Sequence, residues 1–249
     1  MLRASSGLTR TVIVVLIVAL LAGAIAMTYE FGKGVSTKTT TPRIVSSGAV
    51  LTNMKELLGN FSQLKFNYVV NSSIPSQDAN ASISYYLVGH PAINGTTLTE
   101  YGFVFSISQQ SNSSFVYYDS NGKIVLATIN GENFTGANTV FADYLLLPFN
   151  ILLNFQQYFF ENSTVFSSFT PIDSSSGEGF GNVTMSVITY HATQIHYQGD
   201  IAQEMTVKVG RPPGNLELTT FVSIQGEMSG GQNQGSLVVY LVSATLAQE

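Results

Sequence analysis

The 249-residue chain has no cysteine, which excludes disulfides, thiolate metal sites and cysteine nucleophiles together. It has no tryptophan and only three histidines, so the side chain most used for proton transfer and metal ligation near neutral pH is scarce. Charged residues are 10% of the chain, against about 25% in an ordinary soluble domain. Ser, Thr, Asn, Gln and Tyr must therefore supply most of the polar surface. From residue 46 onward five bases (Lys55, Lys65, Lys123, Lys208, Arg211) stand against fourteen acids. That balance of −9 repels phosphate backbones and anionic bilayers, and it argues against a nucleic-acid partner.

Signatures of common chemistries are missing as well. There is no G-x-S-x-G, no H-E-x-x-H, no phosphate loop and no dinucleotide fingerprint. The glycine-rich run Gly177-Glu178-Gly179-Phe180-Gly181 has neither the spacing nor the following helix of a phosphate cradle, and residues 174–181 read as a loop. His191 and His196 are five apart, which in a straight strand puts them on opposite faces and works against joint metal ligation. His90, before Pro91, reads as a turn residue. Carboxylates are spread singly, with no visible acid/base pair. The expectation is a protein that is not an enzyme and holds no cofactor or metal.

What is present begins with an unbroken apolar run, residues 12–27, which with its flanks approaches the roughly 20 residues that span a bilayer as a helix. Arg3 and Arg10 precede it, which favours a cytoplasmic N-terminus and an exported C-terminus, although Lys33, Lys38 and Arg43 follow. Three fates compete for residues 1–31. One is an uncleaved anchor followed by a Thr-rich linker, residues 32–46. Another is a secretory signal cut after Ala24-Ile25-Ala26. The third rests on a resemblance: Ser5-Ser6-Gly7-Leu8-Thr9-Arg10 and the apolar run resemble the class III signal of archaeal pilins and sugar-binding proteins, which implies cleavage after Gly7. That family usually has a basic residue before the glycine, where this chain has Ser6.

Eight N-x-S/T sequons, at Asn60, Asn71, Asn80, Asn94, Asn112, Asn133, Asn162 and Asn182, all follow the apolar run. Composition alone would give about three or four, so the excess points to a glycosylated exterior.

The remaining residues, 47–249, read as one extracytoplasmic β-rich domain. Val50, Leu51, Met54, Leu57, Leu58 and Phe61 recur at helical spacing, with Thr52 or Ser47 as cap and Gly59 as stop. Alternating sets follow: Phe66, Tyr68, Val70; Ile83, Tyr85, Leu87; Phe103, Phe105, Ile107. Asp119-Ser120-Asn121-Gly122 joins two further strands, and its Asn-Gly suits a turn with two positive φ angles. From Phe141 the period becomes helical through Leu145, Phe149, Leu152, Phe155 and Phe159, with Pro148 expected to kink or divide it, as the first residue of a second helix. This segment is apolar nearly all round, so it should lie buried on the sheet, with a cover over an internal cavity as the other reading. Strand-like runs close the chain. Residues 237–242 are apolar on both faces and suit a central strand or one covered on its second side.

Tyr118-Asp119-Ser120-Asn121-Gly122-Lys123, the helical stretch 145–155 and the returning strand 185–190 give an element order similar to the half-barrel lipoprotein-carrier family. The resemblance implies a curved antiparallel sheet covered by helices around a lipid-sized cavity, and it transfers no functional residue. The reading is mainly β (α+β): a curved antiparallel sheet or half-barrel covered by a short helical segment behind one N-terminal membrane or signal helix. Function is read as a membrane-anchored or exported surface glycoprotein acting as a non-enzymatic binding or accessory module, for an apolar or lipid-like ligand covered by Leu145, Phe149, Leu152, Phe155 and Phe159 or for other surface proteins. The alternative is a subunit of a surface layer, pilus or thread assembled by pairing of strand 237–242.

Overall fold

The computed structural model describes residues 48–247 except 73–77, 108–109, 130, 162, 198–199 and 229–232. The apolar run, its processing sites, the whole linker and Asn162 lie outside the described residues. Among those described, no helix is long and apolar enough to cross a membrane.

The chain opens with β1 (Ala49–Val50) and α1 (Met54–Asn60), then runs β2 (Phe61–Ser72), β3 (Ala79–Gly89), β4 (Ala92–Ile93), β5 (Thr96–Thr97), β6 (Thr99–Ile107), β7 (Gln110–Tyr118), β8 (Ile124–Ile129) and β9 (Glu132–Thr135). A 3-10 turn, Gly136–Val140, leads into α2 (Phe141–Glu161) and α3 (Ser163–Ser168). Five long strands finish it: β10 (Thr170–Phe180), β11 (Val183–Tyr197), β12 (Asp200–Arg211), β13 (Leu216–Met228) and β14 (Asn233–Leu246). All but the small β4–β5 hairpin join one open sheet in the order β10-β11-β12-β13-β14-β2-β3-β6-β7-β8-β9. Pairing along this path is antiparallel, and β1 adds in parallel to β13.

The fold is thus mainly β, one curved open sheet covered by a short helical segment. Curvature is visible in one contact. Gly181, after β10, bridges Ala244 of β14, and Asn182 N–H donates to the Ala244 carbonyl at 3.2 Å. In a flat sheet β11 and β14 would stand about 14 Å apart.

Two meanders, β10–β14 and β2–β9, meet where β14 pairs β2. The helical segment leaves the β9 edge and returns to the opposite edge at β10, so it must cross the sheet. That crossing explains its apolar character. Phe149 packs edge-on to Tyr85, Phe66 and Phe103 of the first meander, and Phe159 packs against Tyr190 of the second.

Several expectations need correction. Pro148 does not open a helix; it lies inside the 21-residue α2. Its ring removes one helical N–H, a cost of about 3 kcal/mol in an isolated helix. Both halves of α2 share the same buried core, and Tyr68 donates to the Pro148 carbonyl at 3.2 Å. The cap of α1 is Asn53, whose Oδ1 accepts Glu56 N–H at 3.0 Å, while the Glu56 carboxylate accepts Thr52 N–H at 2.7 Å. Gly59 is not a stop but sits in the last helical turn, which ends at Asn60.

The expected loop 174–181 is most of strand β10, bulged between Ser175 and Glu178 with Gly177 at φ +82°. As an edge strand it is largely exposed, so Ser, Gly and Asp replace the apolar alternation by which strands are read. Strand 237–242 is central, as one of its two readings required. Within β14 it pairs β13 on one side and β2 on the other, so it has no free edge for another subunit. Leu87, placed with Ile83 and Tyr85 on a buried face, is exposed where β3 bulges before Gly89.

Candidate functional site

Three tyrosines on adjacent strands form a ladder beneath α1. Tyr85 (β3), Tyr101 (β6) and Tyr118 (β7) are diagonal cross-strand neighbours, and their rings meet edge to face at 5.9 and 5.8 Å. A helix leaves its last carbonyls without helical partners, and the ladder supplies them. The Tyr85 hydroxyl lies 3.2 Å from the Leu57 carbonyl and 3.1 Å from that of Phe61, and Tyr101 donates to the Leu58 carbonyl at 3.1 Å. The third rung differs: Tyr118 is only 8% exposed, and its hydroxyl has no hydrogen-bond partner among the described residues.

Tyr118 lines an open cleft of about 740 Å³. Met54, Lys55, Leu58 and Gly59 of α1 form one wall, and the hairpin Asp119–Lys123 another. The 3-10 turn with Asp143 and Leu146 of α2 closes the third side. Tyr101 and Tyr118 contribute aromatic surface, while Lys55, Lys123, Asp119 and Asp143 supply two charges of each sign.

The hairpin wall is held by its own sequence. Asp119 Oδ1 accepts the N–H groups of Asn121 and Lys123, both at 2.9 Å, and Gly122 N–H donates to the Asp119 carbonyl at 3.0 Å. Only Gly122 has positive φ, +78°. The turn is therefore a type I turn closed by a left-handed glycine, not the expected form with two positive angles. The two-residue Asn-Gly turn occurs instead at Asn94-Gly95 between β4 and β5, with φ of 50° and 77°.

Electrostatics follow burial. Desolvation pushes the Tyr118 hydroxyl well above its usual range, with Tyr101 and Asp143 adding to the effect, so it stays a protonated donor. Asp119 is held low, first by the Lys123 N–H and also by that of Asn121.

The residues expected to cover a ligand sit elsewhere. Phe149, Leu152, Phe155 and Phe159 are buried in the core and Leu145 is half-buried against it. Phe155 stacks on Phe159, whose ring also meets Phe166 and Phe169 at 5.2 and 5.0 Å. From this helix the cleft takes Asp143 and Leu146 instead. Among the sequons, Asn71, Asn80, Asn94, Asn112, Asn133 and Asn182 are exposed. Asn60 is half-buried, and its amide donates to the Glu56 carbonyl at 2.8 Å. His191 lies 3.3 Å from Thr206 Oγ1 and His90 3.3 Å from Thr99 Oγ1. No cluster of metal-ligating side chains occurs among the described residues.

Sequence reasoning missed the cleft because its walls come from three separated segments, 54–59, 99–124 and 136–146. The only local signal was the hairpin motif.

No protein-family model matches the chain, and no curated protein matches it. Among solved structures it aligns with the lipoprotein LppX of Mycobacterium tuberculosis over 93% of this chain and 97% of that one, at 11% identity and a TM-score of 0.30. It also aligns with MucB, solved in complex with MucA(peri), over 77% of this chain and 93% of that one, at 12% identity and a TM-score of 0.15. Overlaps at these scores assign neither ligand nor partner to this chain.

Proposed function

We propose that the protein is a non-enzymatic binding module of the cell exterior, tethered or exported by residues 1–31 and glycosylated on its β-rich domain. Its binding site is the cleft between α1, the β7–β8 hairpin and the start of α2. The observation that carries this reading is a cleft of about 740 Å³ with aromatic and aliphatic walls and one buried unpaired hydroxyl. Small-molecule sites have this size and likewise combine apolar walls with placed polar groups.

Topology adds an orientation. Gly48 lies beside Asn215 and β1 pairs the start of β13, at the same end of the sheet as α1, Tyr118 and the hairpin. A linker over residues 32–46 would thus reach the domain at its cleft end and hold that end within about 50 Å of the bilayer. Membrane-derived amphiphiles are then the nearest supply of ligand.

The test is binding of a neutral solvatochromic dye to the full-length protein and to Gly59→Trp. Gly59 lines the cleft, and a Cβ there meets nothing within 4 Å. Saturable one-site binding that the variant abolishes is expected. No binding, or binding that the variant leaves unchanged, contradicts the reading.

A second reading, a strand-pairing structural subunit, is favoured by β10, whose outer edge pairs with no strand among the described residues along eleven mostly exposed positions. It predicts sedimentation that depends on concentration and is suppressed by Ile172→Lys. A single monomeric boundary at every concentration contradicts it.

A further inference from the structure

The ligand chemistry of the cleft can be narrowed from a buried donor that no described residue engages. Tyr85 and Tyr101 use their hydroxyls on carbonyls at the end of α1, whereas Tyr118 Oη has no partner among the described residues. A buried polar group left unpaired costs about 1–3 kcal/mol, so a ligand that supplies an acceptor gains from completing the ladder.

The charge of that acceptor follows from the surroundings. Lys55 and Lys123 are offset by Asp119 and Asp143, so the cleft carries no net charge. Asp143 is close enough to Tyr118 to disfavour a second negative charge on its hydroxyl, and the same proximity disfavours an anionic head. A cationic head could pair with Asp119 or Asp143 but would leave the Tyr118 hydroxyl proton without an acceptor. An ester or ether oxygen accepts one hydrogen bond and costs far less to bury than an ion.

We propose that the cleft takes an uncharged amphiphile whose ester or ether oxygen accepts the Tyr118 hydroxyl proton, its chain lying along Met54, Leu58, Tyr101 and Leu146. This rests on the binding reading above and adds the head group to it. The bond replaces nothing within the protein, but Tyr118 Oη is closed to solvent, so an acceptor reaches it only as the side chains around it give way.

The experiment compares three C12 amphiphiles that differ in the head: 1-monolaurin, laurate and dodecylamine. Each displaces the neutral dye from the full-length protein and from Tyr118→Phe. In the unsubstituted protein monolaurin should bind at least about fivefold tighter than either charged probe, one neutral hydrogen bond being worth about 1 kcal/mol. Tyr118→Phe keeps the ring, so its stack on Tyr101 persists; it should weaken monolaurin about fivefold and leave dodecylamine unchanged. A preference for laurate or dodecylamine overturns the proposal, as does equal monolaurin affinity in Tyr118→Phe, and either result leaves the cleft standing as a binding site. Displacement by none of the three, with the dye itself unbound, removes the binding reading too.

Discussion

The carboxamide of Gln156 stands against β13 as a strand residue would: its Oε1 accepts Thr219 N–H at 2.5 Å and its Nε2 donates to the Glu217 carbonyl at 3.1 Å. A parallel neighbour engages those same two groups, one residue's carbonyl and the N–H two residues on. β1 is the parallel neighbour of β13 at Leu216 and Glu217, and β14 takes over from Phe221. Gln156 fills the gap and donates also to the Leu51 carbonyl at 2.8 Å. It is fully buried, so none of these groups has water to fall back on. Beside it, Arg211 Nε donates to the buried Glu217 carboxylate at 2.9 Å.

Replacing Gln156 with Leu should therefore cost about 2–4 kcal/mol, because it strands the buried Thr219 N–H and removes the donor serving the Glu217 and Leu51 carbonyls. Urea denaturation of the two proteins checks this. A loss below about 1 kcal/mol would mean that the gap between β1 and β14 is filled by something other than this side chain.

Alkali should be the harsher pH limit. Burial raises Tyr68, Tyr85, Tyr101 and Tyr118 above the ordinary value of 10.0. A group raised in the folded state stabilises fully below its unfolded value, and that contribution is lost as pH rises toward the folded value. Stability should hold to about pH 9 and fall steeply above pH 10, with phenolate absorbance at these four tyrosines appearing together with unfolding. Titration of all tyrosines at pH 10 in a still-folded protein would contradict it.

Acid should do less. Glu56 is lowered from 4.5, first by the Thr52 N–H, and Asp119 from 3.8, first by the Lys123 N–H. Lowered carboxylates stabilise above their unfolded values and lose that contribution as pH falls through the folded ones. The effect is confined to pH below about 4.5, and solvent screens both exposed groups. Denaturation midpoints should stay nearly flat from pH 7 to 5, and Glu56→Gln should flatten the small decline below that.

Two glycines on the cleft should respond in opposite directions to alanine. Gly122 needs φ +78°, and an added Cβ would lie 3.3 Å from Lys55 Cδ, so Gly122→Ala should lower stability by about 1 kcal/mol. Gly59 is helical with open space around it, so Gly59→Ala should raise stability by about 0.5–1 kcal/mol. Thermal melts of both variants decide the matter.

Legibility in the sequence followed the range of the forces involved. Phe66 and Tyr68, Ile83 and Tyr85, and Phe103 alternate because one sheet face is buried, and that pattern is local. The apolar circumference of α2 likewise announced burial. Pro148 misled because its cost is local while its compensation, the shared core and the Tyr68 hydroxyl, is tertiary. β10 was hidden because an edge strand needs only backbone pairing. The Gln156 bridge and the unspent Tyr118 hydroxyl leave no sequence pattern, since both depend on which distant groups were already satisfied.

The central claim is tested most directly by an experimental structure of the full-length protein bound to 1-monolaurin. The account predicts density in the cleft with an ester oxygen within hydrogen-bond distance of Tyr118 Oη. Density lodged instead beneath α2 among Leu145, Phe149, Leu152, Phe155 and Phe159, or a cleft holding only water at saturating monolaurin, would contradict it.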